Sequence, residues 1–446
     1  MNDSCQAFTS LCSTDCATLT YMAGSQQTLP AHGVPLTLST PLVGAAPTVP
    51  ASQASVRQQN LSLISCLIFG SPTSLTRAAL ATRTGLGRAT VSRLINELIG
   101  AGIVHEKKPE ESLSRGRPGT PLAPASRTVA GIGLEANVDF VAGRAIDLAG
   151  TTLAEFRLSG LDLLDSPETM LTLLGDSAAS MISSLAATGV RFAGASLGVP
   201  GLVNTENHSL LVAPNLGWSE FAPLAMLGER WNSLGIDTQI HNDADLQSLA
   251  AAFTRPGCSR TDATFLYIAG DVGIGGSILT GGALTRGSHG WAGEIGHLTV
   301  DPVGPQCSCG SVGCLEAFAG QASILKAAGL SRESSVHDLI QLLREGDEAA
   351  ATAVEKAGWA LGVALSDVIN VVDISRVVFG TSLGSLLPWL RPHIESGLTL
   401  RVIGAKHRGI ELVQGPMIAL PACTGGAFNA LHPLIADPSS WIDLTS

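Results

Sequence analysis

Nowhere in the 446 residues do eighteen apolar residues run uninterrupted, so no helical membrane span is expected. No lysine or arginine precedes Arg57, so the N-terminal stretch lacks the basic n-region of a secretory signal. The nine cysteines form no evenly spaced framework. That argues for a reducing compartment, and the cytoplasm is the expected location. No short-period repeat is visible. What remains is the composition of a soluble globular protein, 45% hydrophobic with 50 glycines, long enough for two or three domains.

A net charge of −11 would by itself argue against a nucleic-acid partner, but the average hides a split. Arg57 to Arg127 holds ten Lys and Arg against four Asp and Glu, a balance of +6 that leaves −17 for the rest. A basic module attached to an acidic body calls for a separate reading of each part. Residues 1–56, rich in Ser, Thr, Ala and Pro, read as a disordered tail or as a start assigned too far upstream, with Met22 inside it. From about residue 128 short apolar strands such as TVAGIGLEA, FVAGRAID and GASLGVPG alternate with helical stretches, the pattern of an α/β body.

The basic module, 57–127, contains RAALATRTGLGRATVSRLINELIGAGIV. Ala78 to Arg83 predicts a short helix, Thr84-Gly85-Leu86-Gly87 a turn, and a second helix begins near Arg88. Val91, Leu94, Ile95 and Leu98 give that helix one apolar face. Its other face carries Ser92, Arg93 and Asn96, with Arg88 and Thr90 at the N-terminal end, where a recognition helix meets base edges in the major groove. An ordinary helical hairpin with a solvated basic face is the bland alternative. Two features weigh against it. Gly102-Ile103-Val104 leads into a charged stretch, Glu106 to Ser114, as a wing would. Arg115-Gly116-Arg117-Pro118 then keeps the chain extended, with Arg115 and Arg117 free to enter a narrow minor groove. Double-stranded DNA is the expected partner.

In HLTVDPVGPQCSCGSVGCLEAF, His297 to Phe318, three cysteines fall within eight residues. A disulfide between Cys307 and Cys309 would be strained, and a redox pair usually has two intervening residues, not one. Zinc needs four soft or borderline ligands, and His297, Cys307, Cys309 and Cys314 supply them. With every position filled by protein the ion would be structural. A reactive thiol cluster and a disulfide are the competing readings.

Gly293-Glu294-Ile295-Gly296-His297, followed by Cys307-Ser308-Cys309-Gly310-Ser311-Val312-Gly313-Cys314-Leu315-Glu316, resembles the signature of the ROK family of repressors, reading frames and sugar kinases. The likeness extends over roughly 128–446, and the basic module fits the family's repressor branch. It implies a winged helix-turn-helix followed by a two-lobed, actin-like (ribonuclease H-like) sugar-kinase fold. The small lobe would span 128–244 and be completed by 425–446; the large lobe would span 245–424 and hold the zinc. Homodimers or homotetramers are implied too. Gly201 and Asn215 match the family's hexose-contacting loops, and Asn242-Asp243 the pair whose Asp is the general base in kinases. Glu294, His297 and Glu316 match the residues that bind the other hydroxyls. Zinc would then pin the loop bearing Glu294 and Glu316.

The family's kinases open their body with an Asp-x-Gly-Gly-Thr loop. Glu135-Ala136-Asn137-Val138-Asp139 stands in that place, without either glycine and with a carboxylate where a hydroxyl should meet phosphate. A second departure is Gly380-Thr381, where the kinases carry paired glycines. The expectation is a regulator that answers a sugar or sugar phosphate, a repressor of carbohydrate-utilisation genes. The enzyme alternative is an ATP-dependent sugar kinase with an appended DNA-binding module, in which Asp243 would be catalytic.

Overall fold

The structure is a computed structural model that describes residues 52–108, 119–160, 166–331 and 333–445. All of them belong to one compact unit, 46–446. The first helix, Gln53–Gly70, is capped by the Ser52 hydroxyl, which accepts from the Ser55 N–H. It starts four residues before the boundary drawn from charge, so residues 53–56 are helical rather than part of a disordered tail. The next two helices are Arg77–Thr84 and Arg88–Gly100, separated by a turn in which Gly85 has φ 71°. Strands Val104–Glu106 and Pro121–Pro124 pair antiparallel, and Leu75–Thr76 adds to the second of them. Those strands bracket the segment read as a wing. Most of it, with Arg115 and Arg117, lies outside the described residues.

The body contains two five-stranded sheets with the same plan. The first runs, in spatial order, Thr238–Asn242, Arg191–Val199, Val129–Ala136, Phe140–Asp147 and Thr152–Ser159. The second runs Glu411–Gln414, Arg376–Phe379, Phe265–Gly270, Ile274–Thr280 and Ala283–Leu284. In each, the first strand in the chain is central, two antiparallel neighbours follow it on one side, and two parallel strands complete the other. The duplication exists in topology without a sequence repeat.

Two helices join the lobes: Asp243–Ala252 and Pro421–Ala436. Each crosses a boundary drawn from the family likeness, since a packed helix is not divided at a cleft. Gly425 brings them into contact, because a Cβ there would strike the Leu246 carbonyl. Pro421–Ala436 also lies flat on the central strand, where a Cβ on Gly133 would strike the Cys423 carbonyl. The far end of this helix belongs to another core. Leu431, Leu434 and Ile435 are buried with Leu61, Ile64 and Phe69 of the first helix and Leu94, Ile95 and Leu98 of the third. Hydrogen bonds back this up: the Ser62 hydroxyl donates to the Ala436 carbonyl (2.5 Å) and the Gln58 amide to Asp437 (2.5 Å). The helix-turn-helix is therefore built onto the body and not tethered to it.

Candidate functional site

On helix Arg88–Gly100 the apolar stripe Val91, Leu94, Ile95 and Leu98 is fully buried, which fixes the opposite face outward. Arg88, Arg93 and Asn96 are exposed, and Thr90 and Ser92 half-buried. Sequence reasoning missed Arg77. Its guanidinium donates to the Ser92 carbonyl (3.1 Å) and the Asn96 side-chain oxygen (3.1 Å), and pairs with Glu106 (2.7 Å). With its oxygen held, the Asn96 amide is oriented before any ligand arrives.

The donor atoms of His297, Cys307, Cys309 and Cys314 all lie within 4.8 Å of one another. Cys307 Sγ is 3.9 Å from His297 Nδ1, and Cys309 Sγ is 3.8 Å from Cys314 Sγ. A tetrahedral ion with metal–sulfur bonds of ~2.3 Å separates its sulfurs by about 3.8 Å, so the set fits a metal ion. Burial, followed by the neighbouring Cys309 and Cys307, pushes the Cys314 thiol up to about 12. Three thiolates need a cation to gather in one place. The loop is tight: Cys307 N–H donates to Ser311 O (2.8 Å), and Gly313, φ 71°, has the Asp301 carbonyl where a Cβ would sit.

The residues matched to sugar contacts converge at the cleft. Asn242 caps helix Asp243–Ala252 by accepting from Ala244 N–H (2.8 Å), and its amide donates to Gly201 O (3.1 Å). Gly201 is close-packed, since a Cβ would meet the Val212 carbonyl. Asp243 is buried at the same helix start. Burial first, then the Asp271 carboxylate, raises it to about 7. Burial also raises Glu294 to about 7, with Asp245 and Glu316 adding to the effect. Glu316 Oε2 accepts from Ile274 N–H (3.0 Å) and from the Asn215 amide (3.4 Å), so a residue of each lobe meets at one carboxylate. A second tie spans the cleft, from Trp291 Nε1 to Val203 O (3.1 Å).

Beside this cleft is a cavity of about 400 Å³ lined by Glu135, Asn137, Asp139, Arg157, Asp271 and Thr381 among others. Phosphates would need free backbone amides here, and the loop has few to give. Val138 N–H is bound by the Asn137 side-chain oxygen (2.7 Å), and Asn137 N–H by Phe140 O (2.9 Å). Glu135 is fully buried and raised to about 8, chiefly by burial. Asp271, visible within IAGDVGIGG but not weighed from sequence, adds another carboxylate. A polyanion would face Asp139 and Asp271 beside a single arginine, Arg157.

A winged helix-turn-helix fused to a duplicated α/β body, with a polar cleft and a cluster of one histidine and three cysteines at its edge, defines the class of protein. Residues 131–414 match the ROK family and residues 67–108 the IclR helix-turn-helix domain. The chain belongs to the ROK family. It is similar to the xylose repressor of Bacillus spizizenii, 28% identical over 367 residues that cover 81% of this chain and 92% of the relative. It is also similar to the DNA-binding transcriptional dual regulator NagC of Escherichia coli, 24% identical over 354 residues covering 77% and 85%. Among solved structures, a ROK family transcriptional regulator homologous to the E. coli Mlc protein superposes with TM-score 0.70 at 23% identity, over 87% of this chain and 98% of that one. The ROK hexokinase of Thermus thermophilus superposes with TM-score 0.55 at 24% identity, over 68% and 99%, and so shares the body's fold.

Proposed function

We propose that this protein is a sugar-responsive transcriptional regulator, a repressor that binds double-stranded operator DNA and carries a structural zinc. The observation that carries the reading is the helix Pro421–Ala436. One end packs on the sheet and helix that present Asp243 and Asn242; the other is part of the DNA-binding module's own core. Sugar binding that changes the lobe arrangement acts on that helix directly. For a near-complete switch the sugar must favour one state by several kcal/mol, about 5.5 for a shift from 1:99 to 99:1.

Gly201, Asn215, Asn242, Asp243, Glu294, His297 and Glu316 would hold the sugar; His297, Cys307, Cys309 and Cys314 would hold zinc. Arg88, Thr90, Ser92, Arg93 and Asn96 would meet the operator, and Arg115 and Arg117 its minor groove. A homodimer or homotetramer in the cytoplasm, reading a two-part site, completes the proposal. No catalysis is assigned, because Val138 and Asn137 close the phosphate loop on itself.

The test is fluorescence anisotropy of zinc-loaded protein on its upstream DNA at fixed salt, with a panel of sugars and sugar phosphates. Specific binding shifted by one sugar is the expected result. Equal affinity with and without every sugar sinks the gating. Sugar phosphate formed from ATP, and lost in Asp243→Asn, would establish the kinase instead.

A further inference from the structure

The side chain between the first two cysteines faces the sugar cleft. Ser308 Oγ lies 3.1 Å from Glu316 Oε1 and 3.2 Å from Asn215 Oδ1. It thus connects the metal-binding loop to a residue of the opposite lobe. The Asn215 amide is orientated by its other contact, since Nδ2 donates to Glu316 Oε2 (3.4 Å) and Oδ1 is left toward Ser308. A flipped amide would set its oxygen against the carboxylate.

Counting protons gives this cluster a direction. A serine hydroxyl has one hydrogen to donate. Here it faces two acceptors, the Asn215 carbonyl oxygen and the Glu316 carboxylate. Glu316 Oε2 is already supplied by Ile274 N–H and Asn215. The Cys307 thiol, 3.9 Å from Glu316 Oε1, is the other donor here and would give up its proton on binding a metal; the serine proton then serves Asn215 Oδ1 or Glu316 Oε1 but not both. A ligand bringing a hydroxyl to this point would supply the other.

We infer that Ser308 is a positioning and specificity-determining residue of the sugar site: it holds Asn215 and Glu316 in register across the cleft and leaves one acceptor for a single ligand hydroxyl. The inference rests on the sugar reading of the cleft, and it adds a residue that the family likeness does not supply. A metal held by the flanking cysteines would fix the backbone on both sides of Ser308, so that the hydroxyl is presented from a rigid loop.

Two measurements on the full-length, metal-loaded chain test this, using Ser308→Ala and Ser308→Thr. The first needs no sugar. Hydrogen exchange at residues 213–217 should speed up in Ser308→Ala and return toward wild type in Ser308→Thr, with one metal per chain throughout. Unchanged exchange, or loss of the metal from Ser308→Ala, overturns the inference. The second titrates the effector found by the anisotropy panel and its monodeoxy analogues. Ser308→Ala should weaken the parent sugar about tenfold, the value of one hydrogen bond to a charged group. One deoxy analogue should be weak in wild type yet lose little more in Ser308→Ala, and Ser308→Thr should restore the discrimination. Additive losses for every analogue refute the specificity role. A wild-type chain that binds no sugar while exchange still responds refutes the sugar reading, and the specificity role with it.

Discussion

The hydroxyl of Ser62, on the first helix of the DNA-binding module, donates to the carbonyl of Ala436 in the last turn of the helix that crosses the body. The carbonyl is free for this because the final turn of a helix has no further N–H to serve it. Gln58 to Asp437 repeats the grip one turn earlier. Contacts of this type can transmit force only if both ends are packed, and both are.

Removing the grip should therefore separate sensing from response. Gln58→Ala/Ser62→Ala is expected to keep operator affinity within about threefold and sugar affinity unchanged. The sugar-induced shift in operator affinity should fall by about half or more, because coupling is a free energy distinct from either binding step. Anisotropy with and without sugar reads all three quantities. A full shift in the double variant would place the coupling elsewhere.

The buried carboxylate Glu135 makes stability depend on pH with a definite sign. Its folded-state value, about 8 against an ordinary 4.5, means the native state keeps a proton that the unfolded chain has lost. Stability should fall as pH rises between those values and level off above them. Asp243 and Glu294, both raised to about 7, act in the same direction. Glu135→Gln should be more stable than wild type at pH 8.5 by about 1 kcal/mol or more, and near-equal to it at pH 5. Thermal unfolding across pH 5–9 measures this; parallel wild-type and variant curves would contradict it.

Parts of this were legible in the sequence because they are local. Both ends of the first helix of the pair and the start of the second appeared within a residue of their true places, since Val91, Leu94, Ile95 and Leu98 mark one face and Gly85 marks the turn. The four His and Cys side chains that gather within 4.8 Å of one another were legible from spacing and donor chemistry, and the residues that meet at the cleft from motif alone. Helix Gln53–Gly70 was not fully legible: its buried residues are confined to Leu61–Phe69, and what covers them comes from Leu431, Leu434 and Ile435, far along the chain. Ser308 and Asp271 were in plain view, but their roles depend on which residues of the other lobe they face.

Metal removal should loosen the cleft and spare the DNA-binding module. The module's core is formed with the first three helices and the crossing helix, with no residue from the His297–Cys314 loop. Cys309→Ala, with three donors left, is expected to lose most bound metal at neutral pH and with it most of the sugar affinity. Operator binding without sugar should stay within about threefold, as expected for sites with no shared contacts. Metal content by elemental analysis, followed by the two titrations, decides. Retained sugar affinity in metal-free protein would end the clamp account of this loop.

Arg88 and Asn96 should fail differently on DNA. Arg88 is exposed at the N-terminal end of the recognition helix, and as a cationic contact its loss should lower the salt slope of binding by about 1, which loss of the uncharged Asn96 should not do. Asn96 is pre-oriented by Arg77, which takes its oxygen at 3.1 Å in the free protein. An amide held this way reaches a base edge with only its nitrogen unless Arg77 moves. Asn96→Ala should then cost about 1 kcal/mol on the preferred operator, the worth of one hydrogen bond, and relax the preference at one base pair, leaving the salt slope unchanged. Arg77→Ala should relax the same base pair by a smaller amount, since it releases the amide without deleting it. Binding of operator variants carrying each substituted base pair, at two salt concentrations, distinguishes the three. Uniform weakening by Asn96→Ala would return it to the phosphate-contacting group.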